Sequence, residues 1–400
     1  MSPRVWWNFK SDFIATLFFS LFNVVMNQFY IAFALQQGAT NLQVGILSAA
    51  PAVGLIFSPI WATWIEKANK PKAFTVIPCL IGRLLLVIPA LFPNPDVYVI
   101  VAIVFQLLMG IQAPAYASLV SRMYPLQIRG RLMGYVRVGM GVLMIPMAYM
   151  VGAWTDLLGP RGPLIAAAIA GFISAAIFNS LKISKHCPVP VKLGDVHKLS
   201  RKDRMLEQFR LVKSHKMLAM FLIATTFAGF GNMMSLPLYQ IIQVDILELS
   251  NVQIGYTRVA YYSALLLTFW LGGIFIDRFH VKYTLLVGIA VYAIVPMLYG
   301  LWGDFTAVML GNTIQGIGDA IWDIGIMSFI FRILPGREAV VFGLHSMAFG
   351  IRGTIAPILG TSLTTILPIE WILLAAAMLS CIGTIVFFVS TSKEKEPMTV

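Results

Sequence analysis

Long apolar runs dominate this chain, separated by short polar stretches, and no run alternates polar with apolar positions. Unbroken apolar text predicts helices surrounded by lipid and argues against a β-barrel, whose strands alternate. A hydrocarbon core of roughly 30 Å takes about 20 helical residues per crossing. Twelve runs meet that length, near 11–36, 42–64, 74–92, 97–121, 132–155, 163–181, 217–241, 252–276, 284–302, 305–331, 339–366 and 371–390. The expected fold class is an all-α membrane protein with twelve transmembrane helices.

The runs also repeat. Residues 40–48 read TNLQVGILS and residues 250–258 read SNVQIGYTR, a displacement of 210. Asn23 with Asn232, Tyr30 with Tyr239, and Gln106 with Gln315 stand 209 apart, and Glu66-Lys67 with Asp277-Arg278 stand 211 apart. Duplication in so apolar a chain points to a secondary transporter built from two pseudo-symmetric six-helix lobes around a central site. The lobes are read as 1–182 and 217–400, with 183–216 as the linker. Pro188, Pro190 and Gly194 make the start of the linker irregular. From Ser200, with Asp203 completing a capping box, Met205, Leu206, Phe209 and Val212 share one face. An amphipathic helix over 200–213, lying on the membrane surface, is expected there.

Composition agrees: 58% of residues are hydrophobic and 12% charged, a balance that needs lipid to cover the excess apolar surface. The net charge of +12 looks at first like a nucleic-acid signal. Its distribution says otherwise, because 24 of the 29 Lys and Arg fall on one side of the membrane when both termini are placed in the cytoplasm. The chain is therefore placed in the cytoplasmic membrane as a multi-pass protein with both ends inside, a monomer in contact with lipid and not with nucleic acid. Cys79, Cys187 and Cys381 are odd in number and widely spaced, and no zinc or disulfide spacing exists. No metal and no cofactor are expected.

Two loops carry a further signal. The chain reads PIWATWIEKANKPK over 59–72 and GGIFIDRFHVK over 272–282. Both resemble the loop between helices 2 and 3 of the major facilitator superfamily, G-x-x-x-D-R-x-G-R-[RK]. Gly273, Asp277, Arg278 and Lys282 follow the pattern, with His280 in place of a glycine. The first copy is degenerate, with Ala62 at the glycine and Glu66 and Lys67 at the acid and base. Twelve spans, two lobes and a basic central linker extend the resemblance over the whole chain. It implies that the acid at the helix end helps hold the lobes closed on the cytoplasmic side. Arg131 opens helix 5 and Arg337 opens helix 11, so Glu66 with Arg131 and Asp277 with Arg337 are expected as cytoplasmic gate pairs, with Lys67 and Arg278 beside them. The competing reading is a solvated loop that merely obeys the charge asymmetry.

Polar residues inside spans mark either a cavity or contacts between helices. Helix 1 presents Ser20, Asn23, Asn27 and Tyr30 at helical spacing, and helix 7 presents Asn232, Ser235 and Tyr239. The resemblance implies that helices 1, 4, 7 and 10 line the cavity, which adds Gln106 and Gln112, then Asn312, Gln315, Asp319 and Asp323. Asp319 and Asp323 lie one turn apart in mid-helix 10, so they do not both ionise easily and titrate as a coupled pair. They suit proton coupling, or else they are held permanently by Arg352 of helix 11 or Arg258 of helix 8. Arg83 and Arg137 have no acid within the spans of their own lobe; either they meet an anionic solute, for which the count of four arginines against two aspartates leaves room, or they pair across the lobes with Asp319 or Asp323.

Helix 11 contains GIRGTIAPILG over 350–360, which partly resembles the Gly-Pro motif of superfamily antiporters, whereas helix 5, where the family carries it, has Ile145 before Pro146. No nucleophile elbow, phosphate loop or zinc helix occurs, so an enzyme is not expected. The function expected is proton-coupled secondary transport of a small organic solute, with export ahead of import because of the aromatic and methionine content. The alternatives are uptake of an anionic metabolite and, from another class, a non-transporting membrane sensor or scaffold on the same fold.

Overall fold

A computed structural model of the chain describes residues 2–68, 70–183, 210–278, 281–333 and 338–392. The first half contains α1 (Pro3–Val24), α2 (Tyr30–Gln36), α3 (Asn41–Ile56), α4 (Ser58–Ala68), α5 (Pro71–Leu84), α6 (Val87–Leu91), α7 (Pro95–Met123), α8 (Leu126–Leu158) and α9 (Arg161–Phe178). The second contains α10 (Lys216–Ile241), α11 (Asn251–Arg278), α12 (Val281–Trp302), α13 (Phe305–Ile333), α14 (Glu338–Leu363) and α15 (Ile369–Ser392).

Helix starts follow local chemistry. Ser2 caps α1, accepting from the Val5 N–H at 3.4 Å, and Pro3 takes the first helical position, where a missing N–H costs nothing. α1 begins at Pro3, earlier than the apolar run suggests, and Asp12 is buried within it. A π turn, Val25–Phe29, joins α1 to α2 without a break in the rod. A second π turn, Ile242–Ile246, extends α10.

Eight helical segments are long and apolar enough to cross a membrane by composition, among them Pro3–Gln36, Pro95–Val120, Gln127–Leu158 and Lys216–Ile246. α11, α13 and α14 have 28, 29 and 26 residues. At about 1.5 Å per residue they also exceed a hydrocarbon core of roughly 30 Å. Large apolar side chains such as Ile100, Met150, Trp270 and Ile385 are exposed, as side chains facing lipid must be.

The repeated text has a physical meaning. Thr40 and Gln43 form a reciprocal capping box at the start of α3. Ser250 and Gln253 form the same box at the start of α11, at 2.9 and 3.2 Å. Each box satisfies first-turn N–H groups that would otherwise lack acceptors. Two residues further on, a glycine lets the helix approach one from the other half. A side chain at Gly45 would run into Thr361 and the Pro357 carbonyl of α14, and one at Gly255 into the Ala148 carbonyl of α8. The duplicated segment thus starts a helix and presses it against the opposite half.

α3 packs on α14 and α8 packs on α11, and these are the main contacts between the halves. Polar bonds close the end that carries the 37–40 and 247–250 loops. Asn41 donates to Thr364 at 2.8 Å, Gln36 donates to Asn251 at 3.0 Å, and Asp156 accepts from Asn251 and Val252. Most of the expected amphipathic linker helix lies outside the described residues; residues 210–214 are helical.

Candidate functional site

Between the halves lies a cavity of about 340 Å³. Its walls repeat the duplication: Tyr30 and Tyr239, Gln106 and Gln315, Ser48 and Arg258, and Pro51 and Tyr261 all border it. The charged members, Arg258 and Asp319, both come from the second half.

Asp319 is held by neutral donors. The Tyr261 hydroxyl donates to its Oδ2 at 2.9 Å, and the Tyr292 hydroxyl and Gln315 Nε2 donate to its Oδ1 at 3.1 and 3.0 Å. Asp323, one turn on, is exposed and interacts electrostatically with Arg137 of α8, across the two halves. Among the described residues, Arg258 and Arg352 bond neither aspartate. Arg258 donates to Asn312 and Gln243 at 2.8 and 3.2 Å, and Arg352 donates to the Thr225 carbonyl. The permanent ion pair considered from the sequence is therefore not what holds Asp319. Helical spacing gives the face of α13, but not which neighbour's side chain reaches that face.

A second cavity, about 550 Å³, extends toward the other end of the molecule. Asp12, Arg83, Gln112, Tyr116 and Arg137 border it, and Asn27 and Gln106 border both cavities. Asp12 escaped the sequence reading although it lies inside the first apolar run. It is 1% exposed and accepts from the Tyr124 hydroxyl at 2.7 Å. The balance of four arginines against two aspartates thus omits a buried carboxylate.

The other expected residues divide into two groups. Asn27 donates to Asn23 at 2.9 Å, so these two side chains spend a bond on each other. Tyr30 borders the first cavity, but its hydroxyl donates to the Tyr98 carbonyl at 2.9 Å, a buried link to α7. Tyr239 stacks on Tyr299 with ring centroids 4.2 Å apart, and its hydroxyl has no partner. Asn232 is buried and borders neither cavity, and its Oδ1 is unbonded. Arg83 donates to the Gly171 carbonyl at 2.9 Å and lies 4.7 Å over the Phe19 ring, so it has found its partners inside the first half. Among the gate residues, Lys67 is exposed and Arg131 donates to the Tyr135 hydroxyl at 2.8 Å. The side chains of Glu66, Asp277, Arg278 and Arg337 lie outside the described residues. Gln243, Tyr261, Tyr292 and Tyr299 were missed by the sequence reading; Tyr292 stands where the first half has Arg83, at a displacement of 209.

Comparison with known proteins completes the picture. The profile of the Major Facilitator Superfamily matches residues 11–243 and again 221–399. The Staphyloferrin B transporter of Staphylococcus aureus (strain NCTC 8325 / PS 47) is 27% identical over 286 residues, which cover 69% of this chain and 66% of that one. The uncharacterized MFS-type transporter Rv1250 of Mycobacterium tuberculosis (strain ATCC 25618 / H37Rv) is 26% identical over 143 residues, covering 34% and 25%. The chain therefore spans just under two thirds of the first relative's length and a quarter of the second's. Among solved structures, the nucleoside transporter NupG superposes with a TM-score of 0.74 at 15% identity, over 97% of this chain and 100% of its own. The POT family transporter PepTSo gives 0.74 at 10%, over 98% of each chain. At such identities the likeness concerns the fold alone. A family profile that covers nearly the whole chain, on an all-α fold with two halves packed around a cavity, makes this protein a member of the Major Facilitator Superfamily.

Proposed function

We propose that the chain moves a small organic solute across the cytoplasmic membrane by proton-coupled alternating access. In this reading it crosses the membrane twelve times, as lobes 1–182 and 217–400 joined by 183–216, with both termini in the cytoplasm and as a monomer. The end closed by Asn41, Asn251 and Asp156 is then the outer face, and the 550 Å³ cavity leads toward the cytoplasm. Glu66 with Arg131 and Asp277 with Arg337 remain our gate pairs for the inner face.

The observation that carries the coupling is Asp319: a carboxylate on the cavity wall, bonded by two tyrosines and a glutamine and by no guanidinium among the described residues. Such a group exchanges a proton without first breaking an ion pair. Asp323, facing Arg137 of the other half, couples that exchange to the separation of the lobes. Asn27, Gln106, Tyr239 and Gln315 contribute the polar lining for the solute.

The efflux reading draws on the aromatic and methionine content of the cavity helices and on the antiporter-like text of helix 11, while the methionines of helix 5, α8 here, read as flexible packing. Met140 borders the second cavity, whereas Met144 is 3% exposed and Met150 is 63% exposed on the outer surface of the helix. These side chains support packing and lipid contact better than a promiscuous binding wall.

The test is solute-evoked proton movement into liposomes that hold the purified protein and an internal pH dye. A solute that moves protons in the wild type and not in Asp319→Asn supports the reading. Proton movement that survives in Asp319→Asn removes Asp319 from the mechanism.

A further inference from the structure

The chemistry of the solute rests on the transport reading above, and Arg258 bears on it directly. Among the other arginines within spans, Arg83 has a carbonyl and a ring, and Arg352 has the Thr225 carbonyl and the Phe349 ring although its Nε, too, has no acceptor among the described residues; neither Arg83 nor Arg352 borders the 340 Å³ cavity. Arg258 is 7% exposed and faces the 340 Å³ cavity, and its bonded partners are two neutral amides. Its Nε is buried and has no acceptor among the described residues.

The guanidinium is also held rigidly. Asn312 Nδ2 and Gln243 Nε2 both donate to the Tyr299 hydroxyl, at 2.9 and 3.1 Å, which fixes both amides with their oxygens toward Arg258. Tyr299 in turn stacks on Tyr239. A buried cation without an anion is costly, and a guanidinium bonded only by neutral amides keeps its charge for a planar or tetrahedral oxyanion. Nearby, Gln240 and Gln315 border the same cavity, and their Oε1 atoms are buried and accept no bond among the described residues. They are receptors for hydroxyl or N–H donors on the body of the solute.

We propose that the cavity binds a small hydroxylated organic anion, with its carboxylate or phosphate seated on Arg258 and its hydroxyl groups donating to Gln240 and Gln315. A cavity of this volume stands at the small end of the range for ligand pockets, about 300–1,000 Å³, which excludes large conjugates. Arg258 is thus a binding residue and not a counter-ion for the aspartates.

The experiment measures thermal unfolding of the purified full chain in detergent with malate, succinate, inorganic phosphate, choline or glucose, since a ligand stabilises the state it binds. Malate and succinate differ by one hydroxyl. The expected result is a midpoint raised by several degrees with malate, less with succinate, and not with choline or glucose. Arg258→Lys, which keeps the charge and loses the fork, weakens the apparent affinity at least tenfold, and Arg161→Gln, on an exposed helix end, leaves it unchanged. A larger effect of phosphate than of malate assigns the anion as a phosphate. If no anion exceeds choline and glucose, or if Arg258→Lys and Arg258→Gln both bind malate like the wild type, the inference is overturned. Asp319→Asn that still binds malate but moves no protons keeps this inference and the coupling role together. Loss of malate binding with proton movement toward another solute intact would retain the transport reading and discard this one.

Discussion

Asp156, near the end of α8, binds the opening residue of α11: its Oδ1 accepts from the backbone N–H and the side-chain Nδ2 of Asn251 at 2.8 and 2.9 Å, and its Oδ2 accepts from the Val252 N–H at 2.9 Å. A carboxylate at a helix N-terminus meets both unbonded N–H groups and the positive end of the helix dipole. Here it comes from the opposite half of the molecule, so it holds the halves together as well as capping a helix. Asp156→Ala removes these bonds only where that end is closed. The expected shift is about 2 kcal/mol toward the state open at that end, roughly thirtyfold in population. In a cysteine-free background, a cysteine in place of Gln28 should react faster with a membrane-impermeant thiol reagent added outside when Asp156→Ala is present. An unchanged rate means the bonds do not bias the equilibrium.

Gly45 and Gly255 lie where the helices of the two halves approach most closely in the repeated segment. Leucine at either site overfills the contact and costs about 1–3 kcal/mol where the halves meet. Gly45→Leu and Gly255→Leu should both lower the unfolding midpoint. Gly130, in α8 with no atom within 4 Å of a built Cβ, is the contrast. Gly130→Ala should raise stability by about 0.5–1 kcal/mol through backbone entropy. Equal effects at the three sites would show that the close approach is not what the repeat encodes.

Arg258 bonds Asn312, and Asp319 follows seven residues later on the same helix. Seven residues span about 10 Å of helix axis, and opposite charges at that distance interact by about 1.7 kcal/mol at an effective dielectric of ~20. An ionised Asp319 therefore competes with an incoming anion for the field of Arg258 and repels it. Asp319→Asn should tighten malate binding by up to roughly twentyfold, the fold-change given by that energy. By linkage, the anion also favours the protonated form of Asp319, so anion and proton enter the cavity together. Calorimetric titration of the two proteins checks this. A weaker affinity in Asp319→Asn places the carboxylate among the anion's own contacts.

Tyr30 was expected to bind solute, yet its hydroxyl donates to the Tyr98 carbonyl in a buried link between α2 and α7. Tyr30→Phe removes this bond, leaving the carbonyl its helical one, and should cost about 0.5–1.5 kcal/mol of stability. Malate affinity should stay within about twofold, well under 1.4 kcal/mol, which is a factor of ten. A large loss of affinity at unchanged stability would return Tyr30 to the binding wall.

The membrane class, the family and the duplicated plan were legible in the sequence because they depend on run length, spacing and a few motif residues. TNLQVG and SNVQIG even contained the reason for their own persistence, since Thr40-Gln43 and Ser250-Gln253 are capping boxes and Gly45 and Gly255 are contact points. Placing Asp319 on a cavity-facing side of α13 was also within reach, because a carboxylate in lipid must find polar company. Its bonding was not. Whether Arg258 or Tyr261 of α11 reaches Asp319 depends on how that helix is rotated against α13, and two residues three apart on one helix differ in azimuth by about 60°. Asp12 was within reach too: it lies inside the 11–36 run and was left out of the count of charges within spans, and only the structure shows that it is buried and bonded by the Tyr124 hydroxyl.

The π turn at Val25–Phe29 has a consequence for the geometry of the first helix. A turn with one residue more than an α-helical turn offsets everything beyond it by about 100°. Asn23 lies before that offset and Tyr30 beyond it, so the rod presents one set of side chains below the turn and a differently aimed set above it. Deleting a single residue there would leave the rod helical and every later residue chemically intact. It would nevertheless swing Tyr30 off the Tyr98 carbonyl and turn Gln36 away from Asn251. The first helix thus behaves like a key cut in two planes, whose fit depends on one supernumerary residue in its shank.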